Sequence, residues 1–329
     1  MSESELQGAM VSLPPRETCD TASFQRLASL LKQCGAMKDL TQGKQIHSYI
    51  IRTGLHNNLL LNNLLLQMYL SCGSVVDVHD AFLGMYQKNK FSWNFYITSH
   101  ARHGQHNQVM YAFYQMLCEC LLPNEFIFVG TISSCARNSA LQDGKHMHAR
   151  VIRGHGTESN NIVIENALVN MYCRCNIFME SKRIFNEMQV KNVVTWTDMI
   201  LACAHHEGEN YSIVLYKQMH QEGVIANKVT FINILEACAS HQWPIEGKQI
   251  HVSIIGNRLE SEVMLVTSLL NMYTKCNNTL RDALALFEWS SNRNIVLWTT
   301  MIAGCSQQGY GDMAIPFFER MMLEGMLPD

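Results

Sequence analysis

No apolar run in this sequence approaches the roughly 18 residues that a membrane-spanning helix requires, so membrane insertion is not expected. Charge is scarce and nearly balanced. Charged residues make up 16% of the chain, and 25 Lys and Arg against 28 Asp and Glu leave a net −3. That excludes strong electrostatic attraction to a polyanion or an anionic membrane. Twelve cysteines are present, yet none form a Cys-x-x-Cys pair; the nearest approaches are Cys118/Cys120 and Cys173/Cys175. A zinc ribbon or dithiol redox motif is therefore excluded, and reduced thiols are expected. There is no P-loop, nucleophile elbow or Gly-rich dinucleotide loop. Neither a signal peptide nor an Arg-rich transit peptide is recognisable in MSESELQGAMVSLPPRETCD, where Glu3, Glu5, Glu17 and Asp20 face a single Arg16. Nothing points to a catalytic residue, a cofactor or a metal.

What the chain has instead is repetition. NKFSWNFYI (89–97), NVVTWTDMI (192–200) and NIVLWTTMI (294–302) are near-copies, with Trp93, Trp196 and Trp298 about 102 residues apart. Sliding the sequence by that period aligns further blocks. LKQCGAMKDLTQGKQIH (31–47) overlays SSCARNSALQDGKHMH (133–148) and EACASHQWPIEGKQIH (236–251). NNLLLQMYLSCG (62–73) overlays ENALVNMYCRCN (165–176) and TSLLNMYTKCN (267–277). LLPN, VIAN and MLPD close each period at residues 124, 227 and 329. Three blocks in three copies divide residues 24–329 into nine units of 31 to 37 residues. Their bounds are 24–58, 59–89, 90–124, 125–161, 162–192, 193–227, 228–262, 263–294 and 295–329, and residues 1–23 remain an unassigned N-terminal segment.

A unit of that size holds one helical hairpin, two helices of about 12 residues with their turns. In SIVLYKQM (212–219), Ile213, Leu215, Tyr216 and Met219 show the spacing of an amphipathic helix. HGQHN (103–107) and HEGEN (206–210) are polar, Gly-containing breaks between helices. The pattern predicts an all-α fold, an α-solenoid of about nine hairpins and eighteen helices. Pro316 falls within a predicted second helix and implies a kink or a late start there. Asp329 closes a unit with no polar capping helix after it, which implies a truncation point, since solenoids need capped ends.

The combination of Ser-Trp-Asn/Thr-Trp-Thr/Leu-Trp-Thr, the closing Pro-Asn/Ala-Asn/Pro-Asp, Asn-Met-Tyr and Gly-Lys-x-x-His resembles the plant pentatricopeptide repeat proteins of the mixed-length PLS subclass. The resemblance implies a right-handed superhelix in which each repeat reads one RNA base, through the fifth residue of its first helix and the last residue of the unit. Carried onto this chain, the pairs are Asn63 with Asn89, Asn94 with Asn124, Asn166 with Asn192, Thr197 with Asn227, Thr267 with Asn294, and Thr299 with Asp329. The Gly-Lys-x-x-His units place Ala28, Val129 and Ile232 at the first site, with Asn58, Asn160 and Glu262 near the end; these units are expected to space the array. Leu60, Phe91, Val163, Val194, Met264 and Val296, three places before each first member, are expected to sandwich the bases. Asn can donate and accept, whereas Asp only accepts. The implied reading is 5′-N-Y-Y-N-Y-A-N-A-G-3′, with cytosine the favoured pyrimidine.

The same resemblance implies a mitochondrial or plastid location and an organellar transcript as the single-stranded RNA partner. The implied role is to guide C-to-U editing, with a deaminase-bearing or accessory protein as second partner; the alternatives are RNA processing or stabilisation without editing, and a protein-interaction scaffold. His205-His206-Glu207 contains half of a zinc deaminase signature, but the Pro-Cys-x-x-Cys half is absent and the tripeptide falls in an inter-helix turn. The repeat-equivalent cysteines (Cys34, Cys135, Cys238; Cys72, Cys175, Cys276; Cys203, Cys305) and His47, His148 and His251 are expected to pack. In a protein that continues past residue 329, Asp329→Asn removes a charged acceptor while keeping shape. Gel shifts over four oligonucleotides should then show the last preference moving from guanine to adenine. A retained guanine preference removes Asp329 from the set of base-reading residues.

Overall fold

The computed structural model describes residues 21–155, 161–204, 211–290 and 293–327. Among these, eighteen α-helices and one short 3₁₀ turn form, and no strand. The helices are α1 (Thr21–Met37), α2 (Leu40–Arg52), α3 (Leu59–Cys72), α4 (Val75–Leu83), α5 (Lys90–Arg102), α6 (His106–Cys118), α7 (Glu125–Arg137), α8 (Leu141–His155) and α9 (Ile162–Arg174). They continue as α10 (Phe178–Glu187), α11 (Val193–Ala204), α12 (Tyr211–Gln221), α13 (Lys228–His241), α14 (Pro244–Gly256), α15 (Val263–Lys275), α16 (Leu280–Trp289), α17 (Ile295–Gln307) and α18 (Gly311–Leu323). The chain divides into two compact units, Met1–Met171 and Tyr172–Asp329. In each of them, consecutive odd and even helices pair as hairpins.

Within each unit, a first helix packs on its own second helix, on the first helix of the next hairpin, and on the preceding second helix. That environment explains the composition. First helices are apolar on nearly every side: α11 buries Thr195, Trp196, Thr197, Met199, Ile200, Ala202, Cys203 and Ala204. Second helices carry a single apolar stripe, so α10 buries only Ser181, Ile184 and Phe185. The stack of hairpins is an α-solenoid.

The recurring blocks are the joints of this stack. Trp93, Trp196 and Trp298 are buried and meet Phe82, Phe185 and Phe287 edge-on, at ring-centroid distances of 4.7, 4.9 and 4.7 Å. Each Phe comes from the preceding second helix. Lys88, Lys191 and Arg293 lie over those Phe rings at 5.2, 5.2 and 5.1 Å, a cation–π contact. The same cations tie down helix ends: Lys88 and Lys191 Nζ donate to the carbonyls of Met85 and Met188, and Arg293 Nε to that of Phe287.

The Gly-Lys-x-x-His and Asn-Met-Tyr blocks form a second joint. A Cβ on Gly144 or Gly247 would stand 2.5 Å from the sulfur of Met171 or Met272, so glycine lets those side chains lie against the helix where a larger residue would make the methionine tip move aside. His47 and His251 Nδ1 pair with the hydroxyls of Tyr69 and Tyr273 at 2.9 Å. Burial pushes both imidazoles below their ordinary pKa and holds Tyr273 up at about 12. Lys44 and Lys248 reach Asp77 and Asp282 on the second helix of the next hairpin at 3.0 and 2.9 Å. Gly73 and Asn176 take the left-handed turn after their Met-Tyr helices, with φ of 77° and 58°.

Six of the eight repeat-equivalent cysteines are buried, while Cys72 and Cys175 are half-buried. Burial raises the thiol pKa of Cys34 to about 11 and those of Cys203 and Cys238 to about 12. Among the described residues no cluster of three potential metal ligands occurs, and no helix is long and apolar enough to cross a membrane. Of the two outcomes expected at Pro316, the late start does not occur. Helix α18 begins at Gly311 and runs through Pro316. Pro316 is exposed, as is Asp312, whose carbonyl would have accepted the missing amide, so water can take that place.

Gly304 of α17 faces Thr274 of α15 so closely that an added Cβ would overlap the Thr274 Cβ and methyl group. Neither of those atoms can swing away as a methionine tip can. Gly304→Ala should therefore lower the urea-unfolding free energy by about 1–3 kcal/mol. A Cβ on the exposed helical Gly256 would meet nothing within 4 Å. Gly256→Ala should be neutral or stabilising, by up to about 1 kcal/mol.

Candidate nucleic-acid interface

An α-helix begins with backbone N–H groups that lack a partner in the helix. In this chain the residue before seven of the first helices, α3, α5, α7, α9, α11, α13 and α17, supplies one. Asn58 Oδ1 accepts from the amides of Leu60 and Leu61 at 3.0 and 3.1 Å, and Asn89 Oδ1 from those of Phe91 and Ser92, both at 3.0 Å. Asn124, Asn192, Asn227 and Asn294 do the same for α7, α11, α13 and α17. Five of the six proposed closing residues are thus helix N-caps, each worth about 0.5–2 kcal/mol. Asp329 lies outside the described residues, as do Asn160 and His205-His206-Glu207. Asn161 caps α9 through the amide of Val163 at 3.0 Å. Glu262, before α15, makes no side-chain cap bond.

Capping changes the chemistry expected of these asparagines. The sequence suggests a side chain that both donates and accepts. With Oδ1 engaged by the backbone, Asn89, Asn124, Asn227 and Asn294 retain the Nδ2 amide as the group able to meet a ligand, and that is a donor.

The six first members are each the fifth residue of their helix: Asn63 on α3, Asn94 on α5, Asn166 on α9, Thr197 on α11, Thr267 on α15 and Thr299 on α17. Asn63, Asn94, Asn166 and Thr267 are half-buried, and Thr299 is exposed. Asn63 is brought directly to its partner, its Nδ2 lying 3.4 Å from Asn89 Oδ1. Thr197 meets Asn227 only through Thr230, whose Oγ1 is 2.7 Å from Thr197 Oγ1 and 3.1 Å from Asn227 Oδ1. No hydrogen bond joins Asn94 to Asn124 or Thr267 to Asn294, and Asn166 and Asn192 belong to different units.

Thr197 stands apart from the others, at 7% exposure under α13. The third residue of α13, Thr230, is a hydroxyl that reaches back and draws it in. The threonines share one feature. Thr197 and Thr267 donate to the carbonyls of Val193 and Val263 four residues earlier, at 2.7 and 2.8 Å, and Thr299 donates to that of Val296 at 3.0 Å. Each hydroxyl proton is engaged, so the threonines can offer a ligand lone pairs alone.

The second residue of each of these helices is apolar and exposed. Leu60, Phe91 and Val163 in the first unit and Val194, Met264 and Val296 in the second are 49% to 62% exposed. Two residues that the sequence pattern did not single out belong to the same row: Phe126 on α7 and Val229 on α13. The shared second position was the signal that could have found them. Second and fifth residues are neighbours on one helix face. The third residue points the other way and is buried in all eight helices α3, α5, α7, α9, α11, α13, α15 and α17. Exposed apolar side chains at regular intervals, each beside a polar one in the six paired repeats, line the helix starts of each unit.

The description "PPR repeat" matches residues 91–121, 166–193 and 296–326. The chain belongs to the PPR repeat family. It is 31% identical over 300 residues to the chloroplastic pentatricopeptide repeat-containing protein At4g18520 of Arabidopsis thaliana, spanning 91% of this chain and 48% of that protein. It is 32% identical over 302 residues to the mitochondrial At3g53360 of the same plant, spanning 92% and 39%. This PPR chain thus spans half or less of the length of these curated relatives. The crystal structure of PPR10 in complex with an 18-nt psaJ RNA element superposes with a TM-score of 0.80 at 17% identity, covering 98% of this chain and 47% of PPR10. PPR10 from maize superposes with a TM-score of 0.68, covering 96% and 47%. At that identity the likeness speaks for the fold.

Removing a cap and changing its charge should have separable effects. Asn124→Ala leaves the Ile127 amide without its acceptor and should cost about 1 kcal/mol in urea unfolding. Asn124→Asp keeps an acceptor at a helix N-terminus, where negative charge is favourable, and should unfold at or above the native midpoint.

Proposed function

We propose that this chain binds single-stranded RNA in a sequence-specific manner, one base per repeat. The observation that carries the reading is the row of exposed apolar second residues, each beside a polar fifth residue and followed by a polar cap. Bases stack on such side chains, for ~1–3 kcal/mol each where the side chain is aromatic and less where it is Val or Leu. Phe91 and Phe126 are the strongest stacking surfaces, and both flank the repeat of Asn94.

The polar pairs then discriminate by hydrogen-bond polarity. A threonine whose proton is held by the helix offers an acceptor, and a capping asparagine offers a donor. That combination fits adenine, whose N6 amine donates and whose N1 accepts. Two asparagines presenting Nδ2 offer two donors, which fits the N3 and O2 acceptors of cytosine. Such recognition uses base edges and stacking, so a chain of net charge −3 has no need of a basic surface.

In the finer reading, the RNA is an organellar transcript and the repeats position a cytidine for C-to-U editing by a deaminase carried elsewhere. Its support is the alternation of three repeat lengths. The chloroplastic and mitochondrial names of the relatives support a plastid or mitochondrial location.

Fluorescence anisotropy with 5′-N-Y-Y-N-Y-A-N-A-G-3′ RNA and a scrambled control tests the reading. The matched RNA should bind more tightly, and its affinity should fall only shallowly with salt, against a slope of ~0.7 per phosphate neutralised on single strands. Equal affinity for both RNAs removes sequence-specific recognition, and a steep slope assigns binding to backbone charge.

A further inference from the structure

Two adjacent repeats of the first unit carry the same Asn/Asn pair, Asn63 with Asn89 and Asn94 with Asn124, and their surroundings differ at one residue. The third residue of the next first helix is Ser92 behind Asn63 and Ile127 behind Asn94. Both are fully buried. Ser92 Oγ is 2.8 Å from Asn63 Oδ1 and 3.1 Å from Asn89 Oδ1, and it accepts from the Asn89 amide at 3.2 Å. A serine has one proton to give. Asn89 Oδ1 already receives two backbone N–H groups, so the proton goes to the nearer Asn63 Oδ1.

The Asn63 carboxamide is held at both ends. Its Oδ1 accepts from Ser92, and its Nδ2 donates one hydrogen to Asn89 Oδ1. Turning the amide over would set Asn63 Oδ1 against Asn89 Oδ1, two acceptors face to face. The second Nδ2 hydrogen is left next to the Asn89 carboxamide, whose own free group is also a donor. Asn94 has no such restraint: it makes no hydrogen bond through its side chain among the described residues, and the Ile127 side chain offers neither donor nor acceptor. Its amide can turn to present either Nδ2 or Oδ1.

We infer that Ser92 is a positioning residue that makes the Asn63/Asn89 repeat selective for cytosine over uracil, whereas the Asn94/Asn124 repeat takes either pyrimidine. The inference rests on the base-reading function proposed above and adds a third residue to its pair. A fixed Nδ2 donor matches cytosine N3, an acceptor, and opposes uracil N3–H, a donor. A free amide rotates to suit both. Residue identity at the two reading positions is the same, so the selectivity resides in the neighbour.

The experiment compares four RNAs that differ only in having C or U at the second and third nucleotides of the matched sequence. For the native protein, cytosine should be preferred at the second nucleotide by about 5- to 150-fold, the range of one well-made base-edge contact, and cytosine and uracil should bind almost equally at the third. Ser92→Ala should erase the preference at the second nucleotide and leave the third unchanged. Ser92→Thr should retain it, because threonine occupies the same place at Thr230 with the same cap contacts. Ile127→Thr should create a cytosine preference at the third nucleotide, a gain that loss of folding cannot mimic; thermal melting followed by circular dichroism verifies the fold of each variant. If the native protein prefers cytosine equally at both nucleotides, or Ser92→Ala leaves the second preference intact, the inference is overturned while base reading stands. If the native protein does not distinguish matched from scrambled RNA, base reading itself fails and the inference falls with it.

Discussion

A hairpin of two short helices cannot bury its own apolar surface, and the whole of this architecture depends on that deficit. Each first helix is apolar on most sides because it has a partner on most sides: its own second helix, the preceding one, and the neighbouring first helices. The joints are correspondingly specific. A tryptophan lies edge-on to a phenylalanine of the previous hairpin, with a cation over the same ring. A glycine makes room for a methionine, and the histidine four residues later pairs with the adjacent tyrosine. Each joint links residues from consecutive repeats, so the motifs recur together or lose their packing partner.

The second constraint is electrostatic. Helix starts leave backbone N–H groups without acceptors, and an asparagine at the end of the preceding repeat supplies one. In the reading proposed above that asparagine also faces RNA, and the two roles are compatible because the carboxamide has two ends. The backbone takes Oδ1, and Nδ2 remains for the base. Threonines divide in the opposite sense: the helix carbonyl takes the proton, leaving lone pairs. The fold thereby assigns a fixed polarity to side chains that in isolation could either donate or accept.

Much of this was legible in the sequence. The 102-residue period and the helical spacing of the apolar residues lead directly to stacked hairpins, because those features are local. Trp93, Trp196 and Trp298 read as framework on size and repetition alone, and they are buried. Phe126 and Val229 are hidden in the sequence because their repeats carry an apolar residue at the fifth position, so no polar partner marks the second. Pro316 reads as a late helix start because the sequence does not show that it and Asp312, one turn earlier, lie on an exposed face.

The sequence by itself determined the number and kind of elements, the framework residues, and the polar pairs at regular intervals, since each follows from spacing along one chain. Only the tertiary structure decided what those polar residues can do. Asn63 and Asn94 are the same residue in the same place on consecutive first helices, yet one is held by Ser92 from the next hairpin and the other faces Ile127. Thr197, Thr267 and Thr299 are equally alike on paper, and Thr197 alone is drawn under its neighbour by Thr230. Hydrogen-bond polarity and exposure are properties of what stands opposite a side chain, and what stands opposite comes from another repeat some thirty residues away.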